Sequence, residues 1–198
     1  MIIGIGHTLR VGKDTAANAL VRDLGFKRVA FADTLKDFVL MVDSLVMPSG
    51  GSLTVNTSAG RGRIAYMVHS MGWEQAKDNW PEIRRILQET GLAARKTFGE
   101  NCWIEALEYT MVPGVNYVIP DVRFENEADW VRDIGGKVIK ITRPGHYGQG
   151  HVSETALSKF EFDDVIENDS SVLELERKVV DLVKGYMNGA QSADPPPG

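Results

Sequence analysis

A glycine-rich segment near the amino terminus constrains the fold of this chain more than any other feature. The segment GHTLRVGKDT, residues 6–15, follows an apolar strand predicted over 1–6 and opens a helix predicted over 12–23. Glycines let backbone N–H groups turn toward an anion, and a helix amino terminus adds partial positive charge. This order of strand, loop and helix therefore predicts a phosphate-binding site.

The loop departs from the strict Walker A spacing, G-x-x-x-x-G-K-[ST], at two positions. His7 stands where the first glycine belongs, one residue after Gly6, and Asp14 stands where the hydroxyl belongs, with Thr15 next. We expect Lys13 to reach the outer phosphates of a bound ligand, and Thr15 and Asp14 to help hold Mg²⁺. The alternative is an ordinary strand-to-helix turn with a surface lysine, and the flanking elements favour phosphate binding.

Composition predicts a soluble, acidic, single-domain protein. The 198 residues are 43% hydrophobic and carry a formal net charge of -5, which disfavours sequence-independent binding to nucleic acid polymers or anionic membranes. One cysteine excludes an internal disulfide, and neither a secretory signal nor an apolar run of membrane-helix length is apparent, so we expect a cytoplasmic protein. We predict one domain over 1–188 and a disordered tail over 189–198.

Strand and helix patterns alternate along the chain, predicting an α/β fold with a parallel sheet and helices on both faces. Further strands are predicted near 27–31, 115–124, 137–142 and 164–166. Helices are predicted near 33–46, 64–77 with a break at Gly72, 81–98, 101–111 and 153–159, and two more end near 134 and 187. The Gly-, Ser- and Thr-rich stretch 48–63 is predicted to be a mobile loop.

Two residues near the second strand are candidates for binding a substrate phosphate. Asp33 is predicted to cap the following helix, and Lys36 lies in its first turn. The carboxyl edge of a parallel sheet is where open α/β folds bind ligands, so a phosphate could meet Lys36 there. The alternative, a plain helix cap beside a solvated lysine, stays open.

Three polar residues share one face of the helix predicted over 81–98. Arg84, Gln88 and Arg95 are spaced by four and seven residues. Guanidinium groups bind phosphate bidentately, and an amide can pair with the edge of a base. The alternative is a solvated charged face, with ion pairs to Glu82 or Glu89.

Charged residues close the apolar strand predicted over 115–124. Asp121 is placed like an acid that holds Mg²⁺ or its waters, and Arg123 can face the transferring phosphates. A structural pair of these two residues is the alternative. Glu125 and Glu127 are interpreted as acids that match the dipole of the next helix.

Several segments together resemble the phage-type deoxynucleoside monophosphate kinases. These segments are GKDT, FADTLKD, GWEQAK, RRILQETG, NCW, DVRFENEA, GGKVIKITRPG, HVSET and VIENDSSVLEL, and they extend over most of residues 1–185. The resemblance implies a P-loop kinase fold with a helical substrate-binding insert over about 47–111 and a short lid over about 143–153. It also implies transfer of the γ-phosphoryl group of ATP, with Mg²⁺, to a deoxynucleoside monophosphate in the cytoplasm, which is the host cytoplasm for a phage protein.

The resemblance also implies roles for single residues. ATP would be bound by Gly6, Arg10, Val11, Gly12, Lys13, Asp14, Thr15 and, on the adenine side, Asn168, for which a plain turn is the alternative. Arg143 would belong to the lid, and His151 would contact substrate, with a helix cap at Ser153 as the alternative reading of that segment. Trp103 is a candidate wall of the base pocket, and packing is its alternative. Two alternatives remain at this point: another small-molecule P-loop kinase, such as a dephospho-coenzyme A kinase relative, and a non-catalytic nucleotide-binding module. The oligomeric state is left open, with a homodimer as one arrangement.

Overall fold

The computed structural model describes residues 1–6, 10–46, 62–145 and 156–191. The chain forms two compact units, which we call the sheet unit (Met1–Phe31 with Leu107–Gly198) and the helical unit (Ala32–Ala106). The helical unit thus lies in sequence between the two segments of the sheet unit.

The strands and helices of the described residues follow the predicted alternation. The strands are β1 (Ile2–Gly6), β2 (Lys27–Arg28), β3 (Tyr117–Val122), β4 (Lys137–Thr142) and β5 (Asp164–Glu167). The helices are α1 (Lys13–Leu24), α2 (Phe31–Val42), α3 (Ile64–Asn79), α4 (Pro81–Phe98), α5 (Cys102–Glu108), α6 (Glu125–Asp133) and α7 (Val172–Gln191). The five strands form one sheet in the order β2-β3-β1-β4-β5, and every pair is parallel. The predicted parallel α/β sheet is confirmed.

Side chains of the central strand alternate between the two faces of the sheet. Ile3 and Ile5 of β1 are fully buried in a core that they form with α1 and α7. Gly4 faces the opposite way, where a Cβ would lie 3.4 Å from a methyl group of Val131 in α6. Helices therefore cover both faces, as the sequence pattern predicts.

The beginning of α2 differs from the prediction. The helix starts at Phe31, so Asp33 lies inside its first turn and is not the helix cap. The reason is long-range: the carboxylate of Asp121, at the end of β3, accepts a hydrogen bond from the backbone N–H of Phe31 at 3.1 Å. Since this acceptor comes from β3, the residues around Asp33 carry no signal of it. The strand before the helix is also shorter than predicted, because β2 spans only Lys27–Arg28.

The helical unit has a small core of its own. Its buried residues are Val39, Val46, Ile64, Met67, Ala76 and Ile83. The break predicted at Gly72 is confirmed, because this residue leaves the helical conformation within α3 (φ 80°, ψ 163°). The bounds of α4 match the prediction, with Pro81 at its amino terminus, where a missing N–H costs no helical hydrogen bond.

The carboxyl-terminal helix is longer than predicted. α7 continues to Gln191, so residues 189–191 of the predicted disordered tail are helical, and 192–198 lie outside the described residues. Of the helix predicted over 153–159, only 156–159 are described, and they form turns. Most of the predicted loop 48–63 also lies outside the described ranges. None of the described helices is long and apolar enough to cross a membrane.

Candidate phosphate-binding site

The carboxyl ends of the parallel strands meet at one edge of the sheet unit. Gly6 at the end of β1 is in register with Val122 of β3, and Thr142 of β4 is in register with Glu167 of β5. Four predicted site residues lie at these strand ends: Asp121 and Arg123 at β3, Arg143 after β4 and Asn168 after β5. The loop 6–15 starts at the end of β1. Open α/β sheets bind their ligands at this edge.

The loop 6–15, which we call the phosphate loop after its proposed ligand, contains two residues with positive φ in its described part. Arg10 and Gly12 both adopt positive φ, 61° and 103°, on either side of the buried residue Val11. Lys13 then begins α1, whose first turn directs backbone N–H groups back toward the loop. His7 and the two residues after it lie outside the described part of the chain. The loop from Arg10 to Lys13 can therefore direct backbone donors and one ammonium group toward a phosphate.

A side-chain hydrogen bond joins the loop to the residue that follows β5. The Asn168 amide Nδ2 donates a hydrogen bond to the backbone carbonyl of Val11 at 2.9 Å. The backbone N–H of Asn168 donates to the carbonyl of Thr142, the last residue of β4, at 2.7 Å. Asn168 thus contacts the phosphate loop and the strand that leads to Arg143.

Oxygen donors suited to Mg²⁺ lie near this loop. Asp14 and Thr15 occupy the first turn of α1, and the Asp14 side chain is 81% exposed, 3.7 Å from the guanidinium of Arg28. Asp121 is half-buried at the end of β3. No cluster of three His, Cys, Asp or Glu side chains suited to a metal occurs among the described residues. These residues fit Mg²⁺ only in a site completed by phosphate oxygens and water, which is how Mg²⁺ commonly binds with nucleotides.

A buried carboxylate positions the backbone around Arg123. Glu127 is 4% exposed, and its Oε2 accepts hydrogen bonds from the N–H groups of Arg123 at 2.7 Å and of Phe124 at 3.1 Å. This contact closes the turn between β3 and α6, and it confirms the interpretation of Glu127 as an acid at a helix amino terminus. Sequence reasoning missed that this acid fixes the backbone of a candidate catalytic arginine.

Arg84 of α4 has a different acid partner from the two that the sequence analysis considered. Arg84 is exposed, donates to the carbonyl of Lys77 at 3.2 Å and pairs with the carboxylate of Asp78. The two acids considered as its partners, Glu82 and Glu89, both pair with Arg85 instead. Gln88 is exposed on the same helix.

Other candidates in the helical unit are partly buried. Lys36 Nζ lies 3.0 Å from the Asp33 carboxylate, one turn apart on α2. The Trp103 indole N–H donates to the carbonyl of Gly91 at 3.2 Å, and its ring packs edge-on against Phe38.

The third candidate residue of α4, Arg95, lies close to Cys102. The half-buried Arg95 is near enough to Cys102 to act on it electrostatically, although burial raises the pKa of the Cys102 thiol overall. A protonated thiol is a poor nucleophile, which agrees with a structural Cys102. His151 lies outside the described residues.

Comparison with known proteins identifies the family. A family model described as "Deoxynucleotide monophosphate kinase" matches residues 53–179, well over half of the chain. The chain belongs to this family. The predicted family resemblance is confirmed, and the family is one of kinases, which are phosphotransferases. The phosphate loop 6–15 precedes the matched segment, so its assignment depends on the loop pattern and geometry.

Two relatives in sequence bear the name of this family. A putative deoxynucleotide monophosphate kinase of Acanthamoeba polyphaga mimivirus is 29% identical over 190 residues, covering 92% of this chain and 96% of that protein. The deoxynucleotide monophosphate kinase of Enterobacteria phage T4 is 30% identical over 115 residues, covering 54% of this chain and 47% of the phage protein. The match therefore spans about half the length of the phage relative. A solved dephospho-CoA kinase from Campylobacter jejuni is 18% identical, with a TM-score of 0.48 and coverage of 96% of this chain and 98% of that one.

Proposed function

We propose that this chain is a magnesium-dependent deoxynucleoside monophosphate kinase that transfers the γ-phosphoryl group of ATP to a dNMP. The observation that carries the proposal is a glycine-containing turn that leads into α1 at the carboxyl edge of the sheet, beside Asp121 and Arg123, in a chain of the deoxynucleotide monophosphate kinase family. We also propose that it works in the cytoplasm, in keeping with its free cysteine.

Phosphoryl transfer asks the protein mainly for positioning and charge neutralisation. A 5′-phosphate oxygen of the dNMP forms a bond to the γ-phosphorus, the bond from that phosphorus to the β,γ-bridging oxygen breaks, and ADP leaves with the electron pair. The second pKa of a phosphate monoester is about 6, so the attacking oxygen is largely ionised at neutral pH. No protein base is therefore required.

On the donor side, the loop residues Arg10–Thr15 would hold the phosphate chain of ATP. Lys13, Arg123 and Arg143 would neutralise the charge on the migrating group. Mg²⁺, held with Asp14, Thr15 and Asp121, would supply further charge stabilisation to the phosphates.

The helical unit contains the cationic and aromatic residues that we assign to binding the dNMP. Lys36, Arg84 and Arg95 would bind the 5′-phosphate, and ion pairs with Asp33 and Asp78 keep two of these cations oriented in the absence of substrate. Gln88 and Trp103 would contact the base, and His151 is a further candidate from the lid.

An acceptor panel tests the proposal. The protein is incubated with Mg-ATP and each of dAMP, dCMP, dGMP and dTMP, with the four ribonucleotides and dephospho-coenzyme A alongside, and ADP and product are separated chromatographically. We expect at least one dNMP to give dNDP and ADP in equal amounts, and reactions lacking acceptor or Mg²⁺ to give neither. Turnover of dephospho-coenzyme A alone, or ATP binding without turnover of any acceptor, would contradict the proposal.

A further inference from the structure

Asn168 occupies a junction between three segments of the sheet unit. It follows β5 directly and precedes α7, its side chain donates to Val11 in the phosphate loop, and its backbone N–H donates to Thr142 at the end of β4. The two hydrogen bonds use different groups of the residue. A substitution of the side chain therefore removes the bond to the loop and leaves the bond to β4 in place.

The side chain of Asn168 lies directly against the next loop residue. A Cβ placed on Gly12 would come within 2.9 Å of Asn168 Nδ2 and 2.7 Å of the Leu175 side chain. Gly12 also has a φ of 103°, which residues with a Cβ rarely adopt. Because Gly12 has no side chain, the loop backbone is in direct contact with the side chain of Asn168.

Planarity of the peptide bond links this contact to phosphate binding. The carbonyl of Val11 and the N–H of Gly12 belong to one trans peptide unit, so they point in opposite directions and cannot turn independently. Holding the Val11 oxygen on the Asn168 amide therefore fixes the direction of the Gly12 N–H. That N–H lies in the positive-φ turn immediately before Lys13, where a phosphate would be bound.

We propose that Asn168 is a positioning residue for the phosphate loop, acting through the Val11–Gly12 peptide and not through the adenine base. The inference rests on the proposed function, because it takes the loop to hold the phosphates of ATP. It replaces the base-side role that the family resemblance implies for Asn168 with a role in orienting a backbone donor.

Two variants and a neighbouring control isolate this contact. Asn168→Asp keeps the size of the side chain but places a carboxylate, which cannot donate, against the Val11 carbonyl, and Asn168→Ala removes the group. Asp169→Ala is the control, because the Asp169 carboxylate pairs with Lys178 at 3.0 Å on the surface. Urea unfolding of each variant, without nucleotide, verifies that it is folded before binding is measured.

The decisive comparison uses two probes, Mg-ATP and magnesium tripolyphosphate, which carries the phosphate chain without the adenosine. We expect Asn168→Asp to weaken binding of both probes about tenfold and Asn168→Ala about threefold, as loss of one hydrogen bond predicts, while Asp169→Ala binds both like the wild type. In steady-state assays the KM for ATP should rise and the KM for the dNMP should stay unchanged.

Three results would overturn the inference. Weaker binding of ATP with unchanged binding of tripolyphosphate would indicate a contact with the base or ribose. Unchanged binding of both probes, or equal weakening by Asp169→Ala, would remove the role of Asn168 in the loop. Failure of the wild type to bind either probe would instead contradict the proposed function, so the two failures are distinguishable.

Discussion

The carboxylate of Asp121 accepts a hydrogen bond from the backbone N–H of Phe31 at 3.1 Å and so joins the end of β3 to the first residue of α2. The Phe31 ring is buried and packs edge-on against Trp130 of α6, with the ring centroids 6.0 Å apart. Asp121 therefore has a structural role that exists without any ligand. Its proposed role at Mg²⁺ adds to this contact and can be separated from it by substitution.

The first prediction separates the two roles of Asp121. Asp121→Asn keeps an oxygen that can accept from Phe31, so its free energy of unfolding in urea should stay within about 0.5 kcal/mol of the wild type. Asp121→Ala loses the helix cap and should be about 1 kcal/mol less stable. Kinase activity should fall strongly in both, because both lose the negative charge. An Asn variant as unstable as the Ala variant, or as active as the wild type, would contradict this division.

The second prediction concerns the buried acid beside Arg123. Glu127→Ala removes the acceptor of two backbone N–H groups and should lower the free energy of unfolding by about 2 kcal/mol, with a smaller loss for Glu127→Gln. The exposed Glu125, in the same helical turn, provides the control Glu125→Gln, which loses only its interaction with the helix dipole and should cost less stability than Glu127→Gln. Equal free energies of unfolding for Glu127→Gln and Glu125→Gln would show that the hydrogen bonds of the Glu127 carboxylate do not contribute to stability.

The third prediction tests the close fit of the loop glycine. Gly12→Ala combines an unfavourable φ with contacts of 2.7 and 2.9 Å, whereas Gly135→Ala has a positive φ of 77° and no atom within 4 Å. The control should cost about 1 kcal/mol, the usual strain of a left-handed residue, and Gly12→Ala should cost about 2 kcal/mol or more. Only Gly12→Ala should lose ATP binding. Thermal unfolding and nucleotide titration provide the two readouts.

The fourth prediction is a pH dependence at the start of β4. Burial raises the pKa of Asp163, but hydrogen bonds from the Val138 N–H, Lys137 and Arg132 outweigh it, so the pKa lies below its usual range. Since the folded state favours the carboxylate, this contribution to stability is complete above about pH 4 and is lost as the pH falls through the folded pKa.

Replacing this acid should therefore flatten the acid limb of the stability curve. Asp163→Asn should be less stable than the wild type at neutral pH and should lose less stability between about pH 4 and 2. The exposed Asp133, at the end of α6, gives the control Asp133→Asn, which removes the same charge and leaves the contacts of Asp163 in place. Equal slopes for Asp163→Asn and the wild type, in urea unfolding at each pH, would refute the assignment.

Local sequence signals predicted the elements whose determinants are local. The bounds of α4 and β4 follow from Pro81 at a helix start and from the Gly135-Gly136 turn before Lys137. The start of α2 was predicted wrongly, because its acceptor, Asp121, lies 90 residues further along the chain. A hydrogen bond between distant segments leaves no pattern in either one.

In the candidate site, too, local features can be predicted and long-range contacts cannot. The sequence predicts a turn and a helix start around Lys13 because the glycine, the lysine and the start of the helix are adjacent in the chain. The contact from Asn168 to Val11, 157 residues apart, could not be predicted. The pairing of Glu82 and Glu89 with Arg85 follows the helical spacings of three and four residues, so spacing favours Arg85 over Arg84 as their partner.

The most direct test of the central claim follows the γ-phosphate itself. ATP labelled in the γ-phosphate is incubated with Mg²⁺, a mixture of the four dNMPs and either the wild type or Lys13→Ala, and the labelled products are separated. The account predicts label in dNDP with the wild type and a rate lower by about 100-fold or more with Lys13→Ala, at an unchanged melting temperature. Label released only as inorganic phosphate, or equal transfer by Lys13→Ala, would contradict it.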